Sequence, residues 1–299
     1  MTTEAISAVE LERLATLLQS SGEYRVLRRL RQGSTGPISA AQVKRAVFLD
    51  VETTGLDTLK DSVIELAMLP FDYDADGTIV GIGEVFVSLR DPGVRIPAEV
   101  TKLTGITDEM VVGASIDPAQ VEGIVGPAAV VIAHNAGFDR PFCERMWPIF
   151  ASKPWACSLR EVDWSSEGFE GAKLRDIAAG HGFFFDGHHA AEDCRAGVEI
   201  LARGLPKSGR TGLAALLDSA RRTRWHLWAL GAPYSARELL KKRGYRWNPG
   251  DDGRAKSWHI EVPEASLADE RRFLLDLMRQ DEDGIVSLPT TAFDRYSLR

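Results

Sequence analysis

Two acidic residues stand in a run of the chain that is otherwise typical of a buried strand. The run extends from Ala46 to Val51 and is mostly apolar, yet it contains Asp50, and Glu52 follows two positions later. Alternate residues of a strand point to the same side, so both carboxylates share one face. Two desolvated carboxylates repel each other unless a cation lies between them. The pair therefore predicts a divalent-cation site or, as the simpler alternative, a strand end where Asp50 caps a turn and Glu52 reaches solvent.

The length, apolar runs and cysteine content of the chain indicate which class of protein it belongs to. Its 299 residues suffice for one large and one smaller domain. Its longest apolar runs are far too short to span a bilayer, and the N-terminus lacks the features of a signal peptide, so we expect no membrane association. Three scattered cysteines, Cys143, Cys157 and Cys194, suit reduced thiols in a cytoplasm rather than disulfides.

Charge is distributed unevenly along the chain. The net charge of −7 argues against a protein that binds nucleic acid by charge alone. Residues 221–260, however, contain ten Lys or Arg and three Asp or Glu, a local net charge of +7, together with four of the seven tryptophans. Interleaved basic and aromatic residues are typical of single-strand binding, although they could equally form a solvated face over a small core.

Strand and helix patterns alternate along most of the chain and predict an α/β fold with a mixed sheet. Strands are expected at about 45–51, 62–71 and 79–89, the last two joined by a turn at Asp72–Gly77. That turn imitates an EF-hand loop but has Gly83 where the final acid belongs, so we interpret it as a hairpin turn. The predicted divisions are an N-terminal helical extension and linker (1–43), the α/β domain (44–203), a linker (204–222), a small basic α+β module (223–280) and a tail without clear pattern (281–299).

Two further segments place acids and histidines at the ends of predicted elements. His134–Asp139 follows a buried strand and opens a helix, and His188–Asp193 leads from a loop into the last helix of the domain. Groups at such positions are held by a rigid scaffold and remain accessible to substrate. On spacing alone, both His188 and His189 are candidates to act beside Asp193, since His189 stands four residues before it.

In order and context, the three segments resemble the DEDDh family of 3′–5′ exonucleases, which includes the proofreading epsilon subunit of the bacterial replicative polymerase. Its motif D-x-E-T-T-G-L is matched from Asp50 to Leu56, H-N-x-x-F-D from His134 to Asp139, and H-x-A-x-x-D from His188 to Asp193. The resemblance covers about 44–203. It implies a ribonuclease-H-like mixed five-stranded sheet flanked by helices, to which the small α+β C-terminal domain is added.

The resemblance also implies roles for individual residues. Two Mg²⁺ or Mn²⁺ ions would be held by carboxylates, with Asp50 bridging both, Glu52 and Asp193 completing one site, and Asp139 holding the other. The family pattern favours His188 over His189 as the group that takes the proton from the attacking water. The residues expected to contact substrate are Thr53, Thr54 and Gly55 through backbone donors, Leu56 as a wedge against the terminal base, and His134 and Asn135.

These residues imply a metal-dependent nuclease that hydrolyses single-stranded DNA from the 3′ end and releases nucleoside 5′-monophosphates, with a DNA polymerase or repair protein as a conceivable partner. Trimming of RNA 3′ ends is the alternative, because the motifs do not distinguish the two sugars. A non-catalytic binding scaffold is disfavoured, since it would have no reason to retain mutually repelling carboxylates.

Overall fold

The computed structural model describes residues 6–31, 43–250 and 253–298, which form ten α-helices and twelve strands. The linker expected within 1–43 falls mainly on 32–42, outside the described residues. None of the described helices has both the length and the apolarity needed to cross a bilayer.

The helices are α1 (Ala8–Ser20), α2 (Ala98–Thr104), α3 (Asp108–Val111), α4 (Pro118–Val125), α5 (Ala136–Met146), α6 (Leu174–Gly180), α7 (Ala190–Ala202), α8 (Gly212–Arg221), α9 (Arg237–Lys242) and α10 (Leu267–Leu277). The strands are β1 (Arg28–Arg29), β2 (Lys44–Thr53), β3 (Val63–Tyr73), β4 (Ile79–Ile82), β5 (Phe86–Leu89), β6 (Val130–Ala133), β7 (Trp155–Cys157), β8 (Phe183–Phe184), β9 (Arg224–Leu230), β10 (Arg246–Asn248), β11 (Ser257–Pro263) and β12 (Ile285–Thr290).

A mixed sheet forms the centre of the larger domain. Its strand order is β4-β3-β2-β6-β7, and β5 pairs with β3 on the edge that β4 also uses. The β2 strand is antiparallel to β3 and parallel to β6, which is in turn parallel to β7. The predicted mixed sheet of five strands flanked by helices is confirmed, with its outermost position divided between β4 and β5.

The β2 strand lies at the centre because both of its faces are buried. Phe48 packs into the core on the side of α7 and α8, whereas Val47 and Leu49 face the side of α5. A Cβ atom at Gly197 of α7 would lie 2.1 Å from the Phe48 ring. Glycine at this position therefore allows α7 to approach β2, which places the first turn of α7 beside the acids of β2.

The acidic turn at Asp72–Gly77 joins β3 to β4, as predicted. Asp74 Oδ1 accepts hydrogen bonds from the backbone N–H groups of Asp76 (3.0 Å) and Thr78 (2.8 Å). Gly77 adopts a positive φ of 79°, which closes the turn. The carboxylate of Asp74 therefore stabilises a hairpin turn.

The linker predicted at 204–222 is wrong over most of its length. Gly212–Arg221 forms α8, and Leu213 and Leu216 of this helix are completely buried in the core beside β2. The spacing of Leu213, Leu216, Leu217 and Ala220 is helical, but the Gly-rich residues before it suggested a break. The nuclease-like core thus extends to residue 221.

The described part of the N-terminal extension, which was predicted to be helical, contains one helix and a short strand. Ser7 caps α1 by accepting a hydrogen bond from the Glu10 N–H. Downstream, β1 pairs in parallel with β8, and Arg29 forms an ion pair with Asp186. The extension is therefore attached to the larger domain just before the segment that carries His188.

The C-terminal module is built around its own sheet and core. Its strand order is β12-β9-β11-β10, every neighbouring pair is antiparallel, and α9 and α10 both pack against one face. This βαββαβ arrangement is the ferredoxin-like topology. Alternate residues of β11, Trp258, Ile260 and Val262, contribute to its core. A 3-10 turn at Tyr234–Ala236 precedes α9, and no side chain among the described residues caps this helix.

The tail from 281 to 299, for which no pattern was evident, has two structural roles. Its first part supplies β12, the fourth strand of the module. Residues 291–298, which we call the C-terminal strap, return to the larger domain. There Ala292 O accepts a hydrogen bond from the Trp155 N–H of β7 (2.7 Å), and Arg295 forms a buried ion pair with Glu161 (2.7 Å). The strap connects the module to the outer edge of the large sheet.

Candidate active site

Three carboxylates from two elements converge at the end of β2. Asp50 and Glu52 point to one side of this strand, and Asp193 comes from the first turn of α7. One ligand oxygen from each of the three lies within 4.8 Å of the others. Oxygen donors at this separation suit a hard divalent cation such as Mg²⁺ or Mn²⁺. The structure thus brings together residues that are up to 143 positions apart in the sequence.

Asp139 is a fourth acid, more deeply buried than these three. It sits in the first turn of α5, is only 2% exposed, and accepts a hydrogen bond from the Val51 N–H at 3.3 Å. It is not part of the set of three described above, but its charge is the strongest electrostatic influence on Asp50. We refer to Asp50, Glu52, Asp139 and Asp193 together as the acid cluster.

Burial and mutual repulsion make the acid cluster electrostatically unfavourable. Burial, followed by the charges of Asp139 and Asp193, raises the pKa of Asp50 well above its ordinary value. Burial is also the main cause that raises the pKa of Glu52 to about 8, that of Asp139 to about 8 and that of Asp193 to about 6. Among the described residues, no Lys or Arg forms an ion pair with any member. A divalent cation would supply the missing positive charge, so the donor set fits the implied metal.

A further acid, Glu65, was missed by sequence reasoning. It lies on β3 directly opposite Glu52, and its Oε2 accepts a hydrogen bond from the Ala190 N–H at the start of α7 (3.3 Å). Its charge contributes to the raised pKa values of Asp50 and Glu52. An acid within the apolar run around Glu65 was a signal, but only the strand register shows that it faces the acid cluster.

Both candidate histidines lie at the edge of the acid cluster. His188 is exposed and adopts a φ of 64°, a left-handed conformation that is uncommon for a residue with a side chain. His189 is also exposed, and its N–H donates to Asp193 Oδ2 (3.1 Å). Charges on both histidines act to lower the pKa of Asp193 against the effect of burial. The choice of His188 over His189 stays a prediction.

The turn after β2 exposes two large apolar side chains, Leu56 and Leu59. Thr53 Oγ1 donates to Gly55 O (2.6 Å), and Thr54 Oγ1 donates to Asp61 Oδ1 (3.1 Å), so both hydroxyls serve the turn itself. The prediction that the Thr54 N–H contacts substrate is wrong, because this group donates to Ser62 O (2.9 Å). Leu56 is 85% exposed at the rim of the site, a position that suits the predicted wedge.

His134 and Asn135 lie between β6 and α5. His134 Nδ1 is 2.9 Å from Ser158 Oγ, and its Nε2 is buried with no partner among the described residues. Burial lowers the pKa of His134 to about 4, so the ring is neutral at pH 7. Asn135 precedes α5 with a positive φ of 85°. The ring of His134 packs inside the protein, and a substrate-binding role for these two residues stays a prediction.

Comparison with known proteins gives a consistent result. A family model described as "Exonuclease" matches residues 47–201. DNA polymerase III subunit epsilon of Aquifex aeolicus is 30% identical over 203 residues, which are 65% of this chain and 89% of that protein. DNA polymerase III PolC-type of Clostridium perfringens is 34% identical over 169 residues, 52% of this chain. The match spans only 11% of that polymerase and 13% of its counterpart from Caldanaerobacter subterraneus.

Solved structures of exonucleases are also similar to this chain. Escherichia coli exonuclease I in complex with a dA16 oligonucleotide gives a TM-score of 0.49 at 15% identity, covering 79% of this chain and 70% of that one. Exonuclease X in complex with 5′ overhanging duplex DNA gives a TM-score of 0.44 at 20% identity, covering 58% and 98%.

Proposed function

Because this chain belongs to the exonuclease family, we propose that it hydrolyses single-stranded DNA from the 3′ end and releases nucleoside 5′-monophosphates. The observation that carries this proposal is the acid cluster, in which three carboxylates meet within 4.8 Å, a fourth lies beside them, and no Lys or Arg of the described residues forms an ion pair with any of the four. Catalytic sites are where such electrostatic strain is expected to persist.

Two divalent cations are the proposed cofactors. Asp50, Glu52 and Asp193 would hold one, and Asp139 would hold the second together with Asp50. When bound, such ions stabilise the charge that develops on a phosphodiester during in-line displacement. The contribution of His188 is to accept the proton of the attacking water, since it is exposed at the edge of the acid cluster. Exposed Leu56 would pack against the terminal base.

DNA is the proposed substrate because the relatives at 30% identity or more are named as DNA polymerase subunits or enzymes. The same similarity supports association with a DNA polymerase as a proposal about its partner. RNA trimming would use the same acids, so it is an outcome that the test must separate. A binding scaffold without activity is disfavoured by the retained acid cluster.

The test uses the purified full chain on single-stranded DNA and RNA of identical sequence, labelled at either end, with Mg²⁺, Mn²⁺ or EDTA. We expect metal-dependent shortening from the 3′ end of the DNA, with mononucleotide products. The Asp50→Asn variant should lose this activity while remaining folded. Faster cleavage of the RNA would change the substrate assignment, and no metal-dependent product from either polymer would overturn the function.

A further inference from the structure

The C-terminal module presents one face of its sheet away from its helices. Since α9 and α10 pack on the side of Leu227 and Ala229, the alternate residues of each strand point the other way. We call this side the open face. It carries Arg224, His226 and Trp228 of β9, Arg246 of β10, His259 and Glu261 of β11, and Val286 and Leu288 of β12.

Aromatic rings occupy the two central strands of the open face. His226 and Trp228 stack with ring centroids 4.0 Å apart and an interplanar angle of 11°. His226 Nε2 lies 2.8 Å from His259 Nδ1 on the neighbouring strand. Burial, with the charges of His259 and Arg254, lowers the pKa of His226 to about 4, so this ring is neutral at pH 7. Stacking and the contact with His259 hold the neutral His226 ring in place beside Trp228, where it offers contact surface rather than charge.

Positive charge borders these rings. The strand register aligns exposed Arg246 with His259, and His259 with Trp228. The guanidinium carbon of Arg254 lies 6.0 Å from the centroid of the Trp228 ring. The acid on this face, Glu261, is paired with Arg224. Among the described residues of the module, three further acids lie on α10, on the opposite side of the sheet: Asp269, Glu270 and Asp276.

From this arrangement we propose that the open face binds single-stranded DNA, with bases against the His226–Trp228–His259 rings and phosphates at Arg246 and Arg254. A four-stranded sheet with aromatic residues on its two central strands is an established geometry for holding unpaired bases. Exposed Val286 and Leu288 extend the apolar surface beside the rings. Unpaired bases can reach these groups, whereas the bases of a duplex are stacked and paired.

The module is attached to the larger domain, so a bound strand would stay close to the acid cluster. Arg295 of the strap bonds to Arg222 O, next to the first residues of β9, and to Glu161 of the larger domain. The charge of Glu261 on the open face also acts on Glu161 across this boundary. Attachment of this kind raises the local concentration of substrate. The proposal goes beyond the exonuclease function and does not depend on cleavage.

The experiment measures binding of the full chain to a fluorescent circular oligothymidylate in EDTA. A circle has no 3′ end for the acid cluster, and EDTA prevents cleavage, so failure of the exonuclease proposal would not affect the result. Replacing Arg246 and Arg254 by Gln should weaken binding roughly tenfold and reduce the slope of log K against log [salt] by about 1.4. Trp228→Ala should weaken it roughly 5- to 150-fold, and Trp228→Phe should restore part of the loss.

The matched control replaces Lys242 of α9 and Arg272 of α10 by Gln, which removes the same charge from the helical side. This variant should keep the affinity and salt slope of the unmodified chain. Equal losses in both double variants, or no loss in either, would overturn the proposal. So would tighter binding of a circular RNA of matched sequence, or equal competition by duplex DNA. Circular dichroism of the Trp228→Phe chain establishes that the fold is intact.

Discussion

Two regions of the larger domain bury ionisable side chains, and only one of them provides ion-pair partners for these side chains. The acid cluster gathers four carboxylates without an ion-pair partner among the described residues. Near the C-terminal strap, completely buried Arg140 donates to Glu144 (2.7 Å) and to the carbonyl oxygens of Ala292 and Arg295 (3.1 and 2.6 Å). Arg295, equally buried, pairs with Glu161 and donates to Ala220 O.

The difference separates a structural site from a functional one. Around the strap, each buried guanidinium has carboxylate and carbonyl partners within the protein, so its charge holds the strap in place. In the acid cluster the compensating charge must come from outside the chain, and burial raises every pKa instead. Disturbing the strap should therefore cost stability, whereas disturbing the acid cluster should cost activity.

The largest effect is expected at His188, on activity alone. Because its imidazole is proposed to accept a proton, His188→Ala should reduce single-turnover cleavage roughly 100- to 10,000-fold while the unfolding midpoint barely changes. His188→Asn is the companion variant, since Asn tolerates the left-handed backbone at this position. His189→Ala should retain most activity. The reverse ranking of the two histidines would reassign the proton acceptor.

A comparable effect on stability is expected at Arg295. Arg295→Ala leaves Glu161 buried without its partner and should lower the free energy of unfolding by about 3–5 kcal/mol in urea titrations. Replacing both partners by Leu should cost less, because no charge is then left unpaired. The exposed pair of Arg272 and Asp269 provides the control, and Arg272→Ala should change stability by less than about 1 kcal/mol. An equal loss in the single and double variants would contradict this account.

A change in pH should have a smaller effect, per pH unit, on the stability of the metal-free chain. Burial raises the pKa of Glu52 from 4.5 to about 8 in the folded state, so the folded chain holds a proton that the unfolded chain has lost between these values. Stability should accordingly fall as pH rises from about 4.5 to 8, by at most about 1.4 kcal/mol per pH unit relative to Glu52→Gln. In saturating Mn²⁺, the difference in stability between the unmodified chain and Glu52→Gln should vary less with pH. If the stability of both chains varied identically with pH in EDTA, the pKa of Glu52 would not be raised in the folded state.

The four acids could be selected from the sequence because they occur in short segments with recognisable spacing. Asp50 and Glu52 share a strand face, and Asp139 and Asp193 each lie in the first turn of a helix. A strand with a strong apolar pattern, β2, was predicted at about 45–51 and extends from Lys44 to Thr53. Glu65 could not be assigned in this way, because its proximity to Glu52 depends on the register of β2 against β3.

The strap and β12 were the least predictable parts of the chain. Residues 285–290 contain Pro289, and apolar and polar residues alternate only weakly among them. The strand β12 is stable because it pairs with β9. Arg295 looks like an ordinary charged residue of a terminal segment, yet it is 3% exposed because Glu161 and three backbone carbonyl groups surround it. Local sequence carries no record of partners that lie more than a hundred residues away.

The sequence by itself determined the fold class, through local periodicity, and its resemblance to the DEDDh exonucleases identified the motifs and the four acids. Only the tertiary structure decided that Asp50, Glu52 and Asp193 converge within 4.8 Å, that Glu65 lies opposite Glu52 and that the tail returns as a strap. It also decided which face of the C-terminal sheet is left open. Each of these depends on strand register and on the packing of distant segments, which no local pattern specifies.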